Sequence, residues 1–251
     1  TKYSGTFNVS HQGTIQQVVI RIVEQGTLYG DISAGAECVK GDYYITGVSM
    51  TEVFKPEVVI QTDIPNWKDA ITGAFGDDAI AGTCLGSGTI TYEYLQELAK
   101  KHFNAITFEN EMKPDITLGQ SPKFDDNGEL TYNFSVADRM LAQIKEWNDA
   151  DPDDNINFKI RGHVLVWHSQ TPEWFFREGY SADGALVSAD EMNKRMEHYI
   201  AAVFNHYEEA GYSDMFYGWD VVNEAMSDST GKPRMASDNS NWAAVYGDQS
   251  N

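Results

Sequence analysis

Trp219-Asp220-Val221-Val222-Asn223-Glu224-Ala225 reads as an apolar strand that ends abruptly in an amide and a carboxylate. A strand buried in a sheet has no packing use for Asn-Glu at its tip, and a lone pair of that kind is ordinarily solvated polarity at a strand-to-loop junction. Two upstream runs change the reading because they finish in the same manner. Residues 103–108 run into Glu109-Asn110-Glu111-Met112-Lys113, and residues 159–167 into His168-Ser169-Gln170. Between the strands lie helical patterns. Leu95, Leu98, Ala99 and His102 fall at i, i+3, i+4 and i+7 within 91–102, and Val136, Met140, Leu141, Ile144 and Trp147 form a second apolar stripe. A third helix starts at Ser188 with Glu191 three residues on, a capping box, and continues through Met192, Met196, Tyr199, Ile200, Val203 and Tyr207. With a further short strand at 80–85, the alternation predicts an α/β fold with a parallel sheet, the first half of a (β/α)8 TIM barrel. In such barrels the carboxyl ends of the strands share one face, so the three polar tips are expected to converge there. The connections after two of them, 114–134 with a turn at Asn127-Gly128 and 169–188 bearing Trp174, Phe175 and Phe176, are long enough to wall a cleft.

The front of the chain follows a different grammar. Residues 3–10, 15–23, 27–32 and 42–50 are rich in Val, Ile, Thr and Tyr and are punctuated by Gly13, Gly26, Gly35 and Gly41. No helical period interrupts them. Sandwich domains commonly need about 100 residues, so residues 1–53 are read as part of an all-β, jelly-roll-like sandwich. Glu24 is an exposed strand carboxylate on this reading. Residues 54–65, with Pro56 and Pro65, are the linker, and residues 66–251 the barrel portion.

Eighteen Lys and Arg against 38 Asp and Glu give a formal charge of -20, which repels phosphate backbones and anionic lipid and argues against nucleic-acid or membrane partners. No run approaches the roughly 20 apolar residues of a membrane span. Cys38 and Cys84 fall in different domains, so no disulfide framework or zinc ribbon is drawn. A neutral substrate suits this composition, and six Trp with 13 Tyr can stack against pyranose faces.

Breaking a glycosidic bond requires a protonated carboxyl beside the leaving oxygen and a second carboxylate that attacks the sugar or activates water. Glu224 suits the first role, provided that burial and negative neighbours help it hold a proton. Asn223 is placed to hydrogen-bond the sugar 2-hydroxyl, and Lys113 and Asn110 to hold other hydroxyls. Period-two parity puts His163, Leu165 and Trp167 on one face of their strand and His168 on the other, which speaks against a shared metal. His163 is expected to hydrogen-bond Asp220 on the neighbouring strand.

Residues 103–114 (Phe-Asn-Ala-Ile-Thr-Phe-Glu-Asn-Glu-Met-Lys-Pro), 161–170 (Arg-Gly-His-Val-Leu-Val-Trp-His-Ser-Gln) and 219–225 together resemble the family 10 glycoside hydrolases, the endo-1,4-β-xylanases. The stretch 41–50 resembles the last strand of the carbohydrate-binding modules that precede xylanase domains, of the family 22 or 4 kind. The resemblance implies sugar contacts from Glu109, Asn110, Lys113, His163, Trp167, Gln170 and Asn223, with Glu224 as acid/base. It also implies retaining hydrolysis of xylan, xylo-oligosaccharide binding, no cofactor and no catalytic metal, and an extracellular, secreted setting for the polymeric substrate. The family's nucleophile is a glutamate on a seventh strand, and no convincing substitute is found here, so this polypeptide alone is expected to be inactive and its full-length parent active. Two other readings remain open: a related two-glutamate (β/α)8 glycosidase acting on β-glucan or mannan, and a non-catalytic xylan- or β-glucan-binding protein. Oligomeric state leaves no trace in the sequence.

Overall fold

Ile106, Phe108, Ile160 and Val164 have no measurable exposure to water, and around them the chain builds a sheet of four parallel strands. The strands are β1 (Gly82–Leu85), β2 (Ala105–Phe108), β3 (Lys159–Trp167) and β4 (Phe216–Asn223), and their order in the sheet is their order in the chain. The computed structural model describes residues 60–151 and 156–247. The sandwich portion expected at 1–53, with Glu24 and Cys38, lies outside the described residues, as does the linker up to residue 59.

Among the described residues six α-helices accompany the strands: α1 (Trp67–Phe75), α2 (Glu93–His102), α3 (Pro114–Thr117), α4 (Ser135–Asp149), α5 (Ala189–Glu209) and α6 (Asn241–Tyr246). The apolar stripes fall where the spacing places them, with small shifts. On α4 the buried set is Ala137, Met140, Leu141, Ile144 and Trp147, so Ala137 takes the place expected of Val136. On α5, Met192, Tyr199, Val203 and Tyr207 are buried, while Met196 and Ile200 pack at the core's margin. Ser188 caps α5 by accepting from the Glu191 amide at 3.2 Å. The reciprocal arm expected of a capping box is not formed. The Glu191 carboxylate instead receives a hydrogen bond from Arg195 Nε at 3.0 Å. Helix α1 carries Trp67, Ala70, Ile71, Ala74 and Phe75 at i, i+3, i+4, i+7 and i+8, yet it buries none of its residues. It is tethered to the end of α2 by its Trp67 amide, which donates to His102 Nδ1 at 3.2 Å.

The two long connections pack as well as wall. Trp174, Phe175 and Phe176 are buried in the core rather than displayed along a cleft. The Trp174 indole donates to Gly119 O at 3.2 Å and so ties one connection to the other. Asn127-Gly128 forms the expected turn, with Gly128 at φ 84° and Asp125 Oδ1 accepting from the Asn127 and Glu129 amides.

Pairing of β3 with β4 is the most extensive in the sheet, setting His163 beside Asp220 and Trp167 beside Asn223 across register shifts. It depends on a glycine. A Cβ at Gly162 would lie 2.1 Å from the Trp219 indole, which crosses β3 at that point and stacks on Phe216 at 4.9 Å. Gly162→Ala is therefore expected to destabilise the fold by about 1–3 kcal/mol through overpacking, read as a lower urea midpoint; an unchanged midpoint would show that the indole yields freely.

Candidate active site

The carboxyl ends of β2, β3 and β4 carry the polar residues, and their side chains meet. Lys113 Nζ donates to Asn110 Oδ1 at 2.9 Å and to Gln170 Oε1 at 3.1 Å, and stands 5.0 Å from the centre of the Trp167 ring. A cation over an indole face is held by the ring's quadrupole as well as by these acceptors. Gln170 sits in the left-handed region at φ 46° and passes its amide on to Asp115 Oδ2 at 3.3 Å. Trp167 Nε1 donates to Glu224 Oε2 at 2.8 Å. A continuous polar chain thus joins Asn110, Lys113, Gln170, Trp167 and Glu224.

His163 enters from the floor. Its Nδ1 lies 2.8 Å from Asp220 Oδ2, the partner expected of it, and its ring lies 6.3 Å from that of Trp167. The other Asp220 oxygen accepts from Arg161 Nε and Nη2 at 3.1 and 2.7 Å. Burial pushes the Asp220 carboxyl up, but the hydrogen bonds from His163 and Arg161 outweigh it and hold the group below the usual carboxylate range. Asp220 therefore fixes the imidazole orientation while Arg161 fixes Asp220.

Glu109 is placed apart from this chain. Its Oε2 would be 2.7 Å from a Cβ at Gly86, so the glycine makes room for it, and it lines a second hollow along β1 with Leu95, Leu98 and Cys84. Beside it, Glu111 is only 7% exposed and accepts from the Ser87 and Asn110 amides at 2.6 and 3.0 Å. Burial opposes its ionisation, and those amides more than offset it, lowering its pKa. Glu111 thereby stitches the tip of β1 to the tip of β2.

Glu224, expected to be buried at the end of an apolar strand, has a side chain 46% exposed. The reason is that β4 is the edge of the described sheet, where Val221 and Val222 are also open, at 54% and 58%. With Asn223, Trp167, Trp242 and Arg234, Glu224 lines a hollow of about 540 Å³, and among the described residues it is the one carboxylate there. Two contributors escaped the sequence. His168, which parity set on the opposite face, brings Nδ1 to 3.8 Å from Glu224 Oε2, because pairing between β3 and β4 shifts register after His163 and the chain leaves β3 at Trp167. Arg234, ten residues past Glu224 and with no pattern to flag it, donates to Glu224 O at 3.1 Å.

The sequence profile of Glycosyl hydrolase family 10 matches residues 68–250. Endo-1,4-beta-xylanase Y of Acetivibrio thermocellus is 38% identical over 176 residues, 66% of this chain and 15% of its own length. Endo-1,4-beta-xylanase A of Thermotoga maritima is 30% identical over 89% of this chain and 18% of its own length. The chain thus spans less than a fifth of these relatives. Among solved structures, the Clostridium thermocellum N-terminal endo-1,4-beta-D-xylanase 10B, CBM22-1 and GH10 modules complexed with xylohexaose, superposes with a TM-score of 0.57 at 36% identity, covering 68% of this chain and 33% of that one. This likeness places the parallel sheet in the (β/α)8 barrel class.

A depressed carboxyl contributes stability that is fully present above its unfolded pKa, near 3.9 for Asp, and lost as pH falls through the folded value. Asp220→Asn is accordingly expected to flatten the loss of urea resistance below about pH 4. Unfolding curves followed by tryptophan fluorescence across that range check it, and an acid limb as steep as in the parent chain would count against the assignment.

Proposed function

The chain belongs to Glycosyl hydrolase family 10, and on that premise we propose that it forms the acid/base side of an endo-1,4-β-xylanase site, cleaving β-1,4-linked xylan with retention. Glu224 gives a proton to the leaving glycosidic oxygen and, in the second step, takes one from water. Asn223 holds the 2-hydroxyl, whose hydrogen bond strengthens as the ring gains oxocarbenium character. Lys113, Asn110 and Gln170 grip the xylose unit on the other side of the bond, with Trp167 beneath it and His163 in the floor. Glu109 meets the sugar farther along β2. The observation that carries the reading is the 2.8 Å hydrogen bond from Trp167 Nε1 to Glu224 Oε2. It fastens one carboxyl oxygen of a residue that lines the hollow.

Retention needs a second carboxyl group about 5–5.5 Å from the first. Glu224 is the one carboxylate among the described residues lining its hollow, and Asp220 is occupied by Arg161 and His163. The attacking carboxylate is therefore assigned to structure beyond the four described strands. The same observation favours a second reading, in which this polypeptide binds xylo-oligosaccharide without cleaving it. Residues 1–53 are proposed as part of a carbohydrate-binding sandwich. The likeness to the Thermotoga enzyme spans more of the chain than residues 68–250 hold, and so reaches into its front portion. An extracellular site of action is proposed from the polymeric substrate, which is too large to cross a bilayer.

The purified 251-residue chain is expected to bind xylohexaose in a calorimeter, and Trp167→Ala to weaken that binding on the order of tenfold. Xylan hydrolysis by the same chain is expected to be negligible. Robust turnover that Glu224→Gln abolishes would overturn the assignment of the second carboxylate, whereas failure to bind any xylo-oligosaccharide would overturn the site. Preference for a β-glucan oligosaccharide over xylohexaose would shift the substrate class.

A further inference from the structure

Glu224 holds a left-handed backbone conformation, φ 50°, that a residue with a side chain adopts at a cost and keeps only when its surroundings enforce it. What enforces it here is one residue. Arg234 Nε donates to Glu224 O at 3.1 Å, the Arg234 amide to Ala225 O at 2.8 Å, and Arg234 Nη2 to Met226 O at 3.1 Å. Three successive carbonyls after β4 are thus bound by a single arginine. The intervening turn closes behind them through the Ser227 amide on Lys232 O at 2.8 Å and the antiparallel pairing of Met226 with Pro233. The Arg234 side chain is 12% exposed, and its acidic neighbour Asp228, 3.7 Å away, is 97% exposed. A pair so solvated contributes little, so the guanidinium is not there for a surface salt bridge.

We infer that Arg234 is the positioning residue of Glu224: its planar fork locks the turn that aims the carboxylate at the Trp167 indole and the hollow. A lysine, with one rotatable ammonium, cannot bind two of these carbonyls in the same plane. A second effect runs through His168. Burial and the nearby Arg234 charge lower its pKa, against the opposing pull of Glu224, Asp228 and Asp238. His168 Nδ1 has no hydrogen-bond partner and lies 3.8 Å from Glu224 Oε2. A charged imidazole there would compete with the indole for the same oxygen, and Arg234 disfavours that charge. The inference deepens the acid/base reading of Glu224 but is tested by geometry that does not require turnover.

The test is the set of indole N–H signals in the proton–nitrogen NMR spectrum of the chain, which has six Trp, with the Trp167 signal assigned through Trp167→Phe. Glu224→Ala marks where that signal falls once the hydrogen bond is gone. Arg234→Met is expected to move it to the same place, leave the other indole signals alone and raise the pH at which His168 titrates. A Trp167 signal that stays at its original position in Arg234→Met, or ignores Glu224→Ala, overturns the inference; an unmoved His168 titration removes its electrostatic half. Should every indole signal collapse in Arg234→Met, Arg234→Lys decides. A shift confined to Trp167 supports the fork, whereas an unaltered spectrum or a second general collapse overturns it. Hydrolysis by a longer, active polypeptide that survives Glu224→Ala would instead remove the acid/base reading and leave these spectra untouched.

Discussion

The site depends on the register between two parallel strands. Pairing of β3 with β4 sets His163 opposite Asp220 and Trp167 opposite Asn223, and the His163–Asp220 and Trp167–Glu224 contacts follow from those two alignments. Slippage by one residue would turn each side chain to the other face of the sheet, parting the imidazole from its carboxylate and the indole from Glu224. The register is protected by shape. Trp219 lies across β3 where Gly162 has no side chain, so the indole acts as a peg that fits one position along the strand. A packing feature on the outer side of the sheet thereby fixes a hydrogen bond on the working side.

A division of labour among the charged groups follows. The chain is strongly acidic, yet three of the residues that fix polar groups at the cleft are cations. Arg161 secures Asp220, Lys113 links Asn110 to Gln170, and Arg234 binds the carbonyl of Glu224. Each gives up its donors to groups of the chain itself. A neutral sugar polymer asks for fixed donors and acceptors at set distances, and a charged side chain tied on several sides is a rigid donor. Of the cleft cations, Lys113 is the one held over an aromatic face, that of Trp167.

Much of this was legible in the sequence because it rests on periodicity. β3 and β4 begin and end at the residues their apolar runs mark, the stripes of α4 and α5 face the core, and the tips of β2, β3 and β4 meet as barrel logic requires. The His163–Asp220 contact was readable from the same alternation. Illegible were the features set by tertiary context. Exposure of Glu224 comes from its place on an edge strand, which no local pattern records. His168 escaped because strict alternation fails where the β3–β4 register shifts and the chain turns out of the sheet. Arg234 escaped because its partners are main-chain carbonyls, which carry no sequence signature. The aromatic run 174–176 misled for the opposite reason: aromatics on a long connection resemble a binding wall, and burial of their large apolar area draws them into the core instead.

The contrast between Glu111 and Glu224 shows how two carboxylates at neighbouring strand tips come to differ. Glu111 is enclosed and its oxygens are taken by the amides of Ser87 and Asn110, so it is fixed as an anion and serves the frame. Glu224 meets one side-chain donor, the Trp167 indole, while the arginine beside it binds the main chain and leaves the carboxylate alone. A group proposed to give up a proton and regain it cannot have both oxygens consumed by permanent donors. The fold answers that requirement by clamping the backbone of Glu224 rather than its carboxyl, so that the chain is held rigidly at the residue while its functional end stays open to a ligand.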